Sequence, residues 1–182
     1  MLTQEFVSLG IVKEVMSKAK DLIKELGSKQ AATDTLSRSE DNDCVVRAVQ
    51  HAFGVDYIDA HHFCETKLNR VSGQGTYTNR YLDKVTQAFG KRISKMGRGG
   101  SLRRAKKTKV EKWSNAKQKY TIRRQAVQVR YQVKEFVKEF NQGSYIVVVN
   151  AHAFALIDGK IIGNREDDRR LNREVWSAYR VK

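Results

Sequence analysis

The chain has 182 residues, 40% of them hydrophobic and 30% charged, with a net charge of +15. That length holds one domain with a short appendage rather than two domains, and no apolar run approaches the ~20 residues of a membrane span. Residues 1–10 lack the basic start and apolar stretch of a secretory signal, so a soluble chain with no membrane partner, made in a cytoplasm, is expected. Two cysteines, Cys44 and Cys64, are too few for a disulfide framework, and reduced thiols are expected.

Val12, Val15, Met16, Ala19, Ile23 and Leu26 recur at helical spacing and Gly27 is a stop, which predicts an amphipathic helix within 1–27. Residues 28–42, rich in Ser, Thr, Asp and Ala, carry no period and read as a linker. From Cys44 the pattern is helical again, with Asp41, Asn42 and Asp43 as cap candidates and Gly54 as the end. A short helix over 59–68, a turn at 72–75 and a third helix over 78–89 follow.

Residues 91–124 carry 14 Lys and Arg against the single acid Glu111. This density predicts a solvated arm that meets a polyanion. Its candidate nucleic-acid contacts are Arg98, Arg103, Arg104, Lys106, Lys107, Lys109, Lys112, Lys117, Lys119, Arg123 and Arg124. Trp113 and Tyr120 are suited to stack on bases, or equally to anchor the arm to the domain. A helix over 127–140 is expected next, with Val133, Phe136, Val137 and Phe140 on one face.

The character then changes. Residues 144–149 form a β-branched and aromatic run, Asp158-Gly159 is a hairpin signal between two further strands, and Val175, Trp176, Tyr179 and Val181 suggest a last strand. Helices first and an antiparallel sheet afterwards is an α+β pattern.

A cysteine at a helix start has its pKa lowered by unpaired backbone N–H groups and the macrodipole. Cys44 holds that position, and His152, early in the hairpin, is the natural imidazole to pair with it. Each residue alone is also a common structural one. His61, His62 and Cys64 lack a second ligand pair at zinc spacing, so no metal and no cofactor is expected.

Several strings resemble one family: Asp43-Cys44-Val45-Val46-Arg47-Ala48, Gly75-Thr76, Gly143-Ser144-Tyr145-Ile146-Val147, His152-Ala153-Phe154-Ala155-Leu156-Ile157-Asp158-Gly159-Lys160-Ile161 and Val175-Trp176-Ser177-Ala178-Tyr179-Arg180-Val181. Together they look like small phage-encoded papain-like proteins related to bacteriocin-processing peptidases. The resemblance implies a papain-like domain over 43–182, with a helical half carrying the nucleophile at a helix start, a small antiparallel sheet, and the basic block as an insertion at about 91–124. It implies a cysteine hydrolase that cleaves an amide, peptidase or deamidase-like, with a protein or peptide substrate. The setting would be a phage virion or early host takeover, in the host cytoplasm or the virion interior. The alternative is a non-enzymatic, DNA-binding virion protein on a degenerate papain-like scaffold, with the N-terminal helix meeting other virion proteins.

Two departures bear on the site. Where papain-like enzymes place an oxyanion-hole Gln six residues before the Cys, this chain has Arg38. Asn42 is the substitute candidate for the oxyanion, or else simply a helix cap. The resembling proteins tend to have an Asp where this chain has Gly163, and Asn164 is next door. A two-residue turn at Asp158-Gly159 puts Gly163 on the His152 face. A three-residue loop instead pairs His152 with Asn164, and this second register is expected because it supplies an orienting third member. Failing it, the site is a Cys–His dyad.

Overall fold

The computed structural model describes residues 18–97, 102–163, 167 and 170–182. Its first half is helical. α1 (Lys18–Leu26) and α2 (Lys29–Ser39) pack on α4 (Tyr57–Lys67), which packs on α3 (Cys44–Phe53). The expected linker is therefore a helix. Ser28 caps α2 by accepting from the Ala31 N–H, and Ala32 and Leu36, one turn apart, are fully buried. Two apolar positions among Ser, Thr and Asp are too few to display a period, yet their burial outweighs indifferent helix propensity. Nor is α1 a free appendage, since Ala19 is buried and Leu22 and Ile23 pack on the same core; the expected apolar positions Val12, Val15 and Met16 lie outside the described residues.

α3 buries Val45, Val46, Ala48, Val49, Ala52 and Phe53, about 1.5–3 kcal/mol for each larger apolar side chain. It ends at Gly54, whose left-handed φ of +68° lets its N–H return to the Gln50 carbonyl. The predicted helix over 78–89 is instead one helical turn, α5 (Thr78–Tyr81), a 3-10 turn (Leu82–Lys84) and a short strand, β1 (Gln87–Ala88). Asp83 accepts from the Tyr179 hydroxyl and from Lys95, which ties this stretch to the sheet, and β-branched Val85 and Thr86 favour extended backbone.

The sheet strands are β2 (Lys91–Lys95), β5 (Ser144–Val149), β6 (His152–Ile157), β7 (Lys160–Ile162) and β8 (Val175–Val181), between which the chain forms β3 (Arg103–Ser114), β4 (Lys119–Arg130) and α6 (Val133–Glu139). The main sheet is antiparallel, in the order β1-β2-β8-β5-β6-β7. Alternation along its strands makes two cores. Ile146, Val148, Ala153, Ala155 and Tyr179 face the helical layer, and the small Ala153 and Ala155 lie where α3 crosses β6. Tyr145, Val147, Val149, Phe154 and Leu156 face α6. The mixed α+β class is as expected.

The helix predicted over 127–140 begins only at Val133. Val127 and Val129 alternate with polar residues and pair in β4, and a capping box between Gln132 and Glu135 starts α6. The basic block is thus divided: Lys91–Lys95 belong to the main sheet, while β3 and β4 pair from Arg103↔Arg130 to Ser114↔Lys119 as a separate ribbon. Leu102 and Tyr131, at its root, are buried in the second core. Trp113 and Tyr120 do not anchor the ribbon to the domain. They meet edge to face at 5.1 Å and remain exposed at its far end.

Candidate active site

Cys44 is the first residue of α3. The preceding Asp43 makes no side-chain cap; its carboxylate accepts from the Tyr57 hydroxyl at 2.8 Å and pairs with Arg47 Nε at 2.9 Å. The open helix start is left to the sulfur, which takes the Val45 N–H. His152 opens β6, reached through the tight turn Asn150-Ala151, where Ala151 is held at φ +53°. Its imidazole hydrogen-bonds the Cys44 thiol, and the adjacent Ala153 N–H does so too. Burial pushes the thiol pKa up, but these hydrogen bonds and the nearby imidazolium charge outweigh it, so the net direction is down.

The third member is Asp167. Its Oδ1 lies 2.7 Å from His152 Nε2, an ion-pair contact off the ring N–H axis, and Arg173 Nη2 donates to the same oxygen at 3.0 Å. Asp167 is buried. The Asp167 carboxylate first, then the Cys44 sulfur, push the His152 pKa up to about 9. With Nε2 facing Asp167, Nδ1 is the nitrogen left for the thiol.

The hairpin register differs from the expected one. Ile157 pairs with Lys160, so the turn has two residues, with Asp158 at φ +46° and Gly159 at φ +78°. An Asp-Gly pair accepts both left-handed positions of such a turn, and the Gly143 N–H donates to Asp158 Oδ1 to fix it. The loop that would have paired His152 with Asn164 does not form, and Asn164 itself lies outside the described residues. Gly163 falls on the His152 face, where a Cβ would collide with the Asp167 carboxylate and stand 3.0 Å from Phe154 Cβ.

Asn42 is also corrected. The cap position of α3 is held by Asp43 instead. Asn42 has φ +54°, and its Nδ2 donates to the Gly73 carbonyl at 3.1 Å. The cleft beside the thiol has a volume of about 550 Å³ and is lined by Cys44, Gln74, Tyr77, Arg80, His152 and Trp176 among others. Gln74 and Asn150 are among the residues that line it, whereas Arg38 is exposed on α2.

The wall carrying Gln74 is tied down from beneath by a buried ion cluster that the sequence did not signal. Arg70, 5% exposed, donates to the carbonyls of Asn42, Asp41 and Gln74 and to Glu40 Oε2 at 2.8 Å. Glu40 also accepts from Lys18, Ser72 and the Gly73 N–H. Burial pushes the Glu40 carboxyl up, but Lys18, Ser72 and Arg70 together hold it well below the usual carboxylate range. His61 is buried between Glu40 and Glu65, and burial drives the Cys64 thiol far up. Among the described residues no three His, Cys, Asp or Glu side chains are arranged to hold a metal ion.

Ten of the predicted nucleic-acid contacts lie on the ribbon or its end loop: Arg103, Arg104, Lys106, Lys107, Lys109 and Lys112 on β3, Lys117 in the loop, and Lys119, Arg123 and Arg124 on β4. Arg104 is engaged by Glu135. Arg98 lies outside the described residues.

Comparison with protein-family models, with curated proteins and with solved structures gives no match.

Proposed function

We propose that the chain is a papain-like cysteine hydrolase that cleaves an amide bond in a protein or peptide. The observation that carries this reading is the line Cys44–His152–Asp167 opening on a cleft: a thiol with a lowered pKa, hydrogen-bonded to an imidazole that a buried carboxylate holds protonated. The Cys44 thiolate attacks the carbonyl carbon, and the C=O electrons move to oxygen. In this reading the Cys44 N–H at the helix start receives that charge, with Gln74, which lines the same cleft, as the candidate second donor. Collapse expels the amine, which takes the His152 proton and leaves a thioester. Neutral His152 then removes a proton from water, which displaces the thiol and releases the acid.

The resemblance to phage-encoded papain-like proteins supports a role in a virion or in early host takeover, in the host cytoplasm or the virion interior. A non-enzymatic scaffold is the second reading, favoured by the long basic ribbon. A thiol-reactive probe such as iodoacetamide separates the two. Labelling of Cys44 at neutral pH should be at least ~10-fold faster than that of a simple thiol, because a thiolate is the reacting species, and should fall in His152→Ala. Cleavage of host proteins by wild type and not by Cys44→Ala would complete the case. Simple-thiol reactivity at Cys44 together with no cleavage would favour the scaffold.

A further inference from the structure

The hydrolase reading does not use the ribbon, whose geometry carries a separate inference. Between residues 103 and 130 there are eleven Lys and Arg against Glu111 alone. The strands are twelve residues each, so the ribbon reaches ~40 Å at ~3.4 Å per residue.

The register assigns each cation to a face. Lys107 and Lys109 share a face with Arg124, and Lys106 and Lys112 share the other with Arg123. Both faces are therefore basic. A ribbon lying flat on one phosphate backbone or on an acidic protein surface needs charge on one face only. Lys109 stands directly opposite Arg124, a like-charge pair that destabilises a bare ribbon. Neither has a side-chain partner among the described residues, and the same holds for Lys107, Lys112, Lys117, Lys119 and Arg123. Such a ribbon is completed by anions on two sides.

We propose that β3 and β4 form a duplex-DNA-binding arm that enters the major groove, with phosphates of the two backbones along its two faces. The B-form major groove, ~12 Å wide, admits a two-stranded ribbon, whereas the A-form RNA major groove is too narrow. The exposed Trp113, Tyr120 and Ile122 occupy the far end of the Lys107 face, where apolar contact with thymine methyl groups is available.

The test is fluorescence anisotropy of the full-length chain with a labelled ~30-bp DNA duplex over a salt series. With about six phosphates engaged, affinity should fall roughly a thousandfold between 50 and 200 mM salt. Two triple variants, Lys107→Gln/Lys109→Gln/Arg124→Gln and Lys106→Gln/Lys112→Gln/Arg123→Gln, remove one face each at exposed or half-exposed positions, and circular dichroism checks that each remains folded. Each should flatten the log–log salt slope by about 2–3. Prior methylation of guanine N7, which lies in the major groove, should weaken binding about tenfold, since it removes an acceptor and blocks entry. Loss confined to one face, insensitivity to N7 methylation, or equal affinity for duplex RNA, single-stranded DNA or polyglutamate would each overturn the proposal.

Discussion

The Asp167 carboxylate occupies the space that a side chain at Gly163 would fill. Gly163 follows β7 across from Phe154 of β6, and it is where the sequence resemblance implies an Asp. Here that position is bare, and the carboxylate reaches the imidazole from four residues further on. Gly163→Ala should displace Asp167 and lower kcat, as should Asp167→Ala, by about 10²–10⁴-fold if His152 loses its orientation. The double variant Gly163→Asp/Asp167→Ala should recover part of the loss. Activity in Gly163→Ala equal to wild type would show that the carboxylate is not needed where it stands.

The pH dependence follows from the same contacts. Acylation needs thiolate and imidazolium together. Activity should rise as Cys44 ionises, below the ordinary thiol range, and fall as His152 loses its proton near pH 9. Asp167 is the first cause of the raised His152 pKa, so Asp167→Asn should bring the alkaline limb down toward the free imidazole value of ~6.5. The kcat/KM profile of wild type and variant checks this. An alkaline limb that does not move would separate Asp167 from the titration.

The Glu40–Arg70 pair should govern acid stability. A carboxyl whose folded pKa is depressed contributes stability that is present above its unfolded value, ~4.5, and is lost as pH falls toward the folded one. Thermal unfolding of wild type should therefore weaken below about pH 4.5, and Glu40→Gln should flatten that limb. Arg70→Met leaves the buried Glu40 carboxylate with Lys18, Ser72 and the Gly73 N–H but without its buried guanidinium. Breaking such a pair costs about 3–5 kcal/mol, and because Arg70 also holds the Gln74 carbonyl, surviving protein should show a raised KM.

Much of this architecture is legible in the sequence, and what is not legible has physical causes. Cys44 and His152 were legible because a thiol at a helix start and an imidazole in a late hairpin each follow from local pattern. Strands 144–149 and 175–181 declared themselves by β-branched and aromatic content. The partner of His152 was not legible. The two-residue Asp158-Gly159 turn sets the register, and Asp167 then approaches from beyond the strand, where no period predicts it. Helix α2 was missed because its only large buried residue is Leu36. Glu40 and Arg70 lie 30 residues apart, and nothing in a single sequence pairs them.

The ribbon should be removable, though not with the ends that the charge pattern suggests. Cutting the charged block at 91–124 would take β2 out of the main sheet and strip what is left of β4 of its partner. Cutting 103–130 and joining Leu102 to Tyr131 through a short Gly-Ser turn keeps both buried root residues and loses two ion pairs, Arg104–Glu135 and Arg130–Glu174. The excised protein should unfold within ~2 kcal/mol of wild type, the upper worth of two partly exposed ion pairs. Calorimetry measures this, and a much larger loss would assign the ribbon to the folding unit.

The strand that comes latest in the described order, β8, sits in the interior of the main sheet, between β2 and β5. During translation, β2 has no edge to join and β5 lacks one neighbour until residues 175–181 have left the ribosome. An incomplete product, or one clipped before Val175, lacks the one strand that joins the β1–β2 pair to the β5–β6–β7 group, so the two groups become one sheet only when that strand arrives.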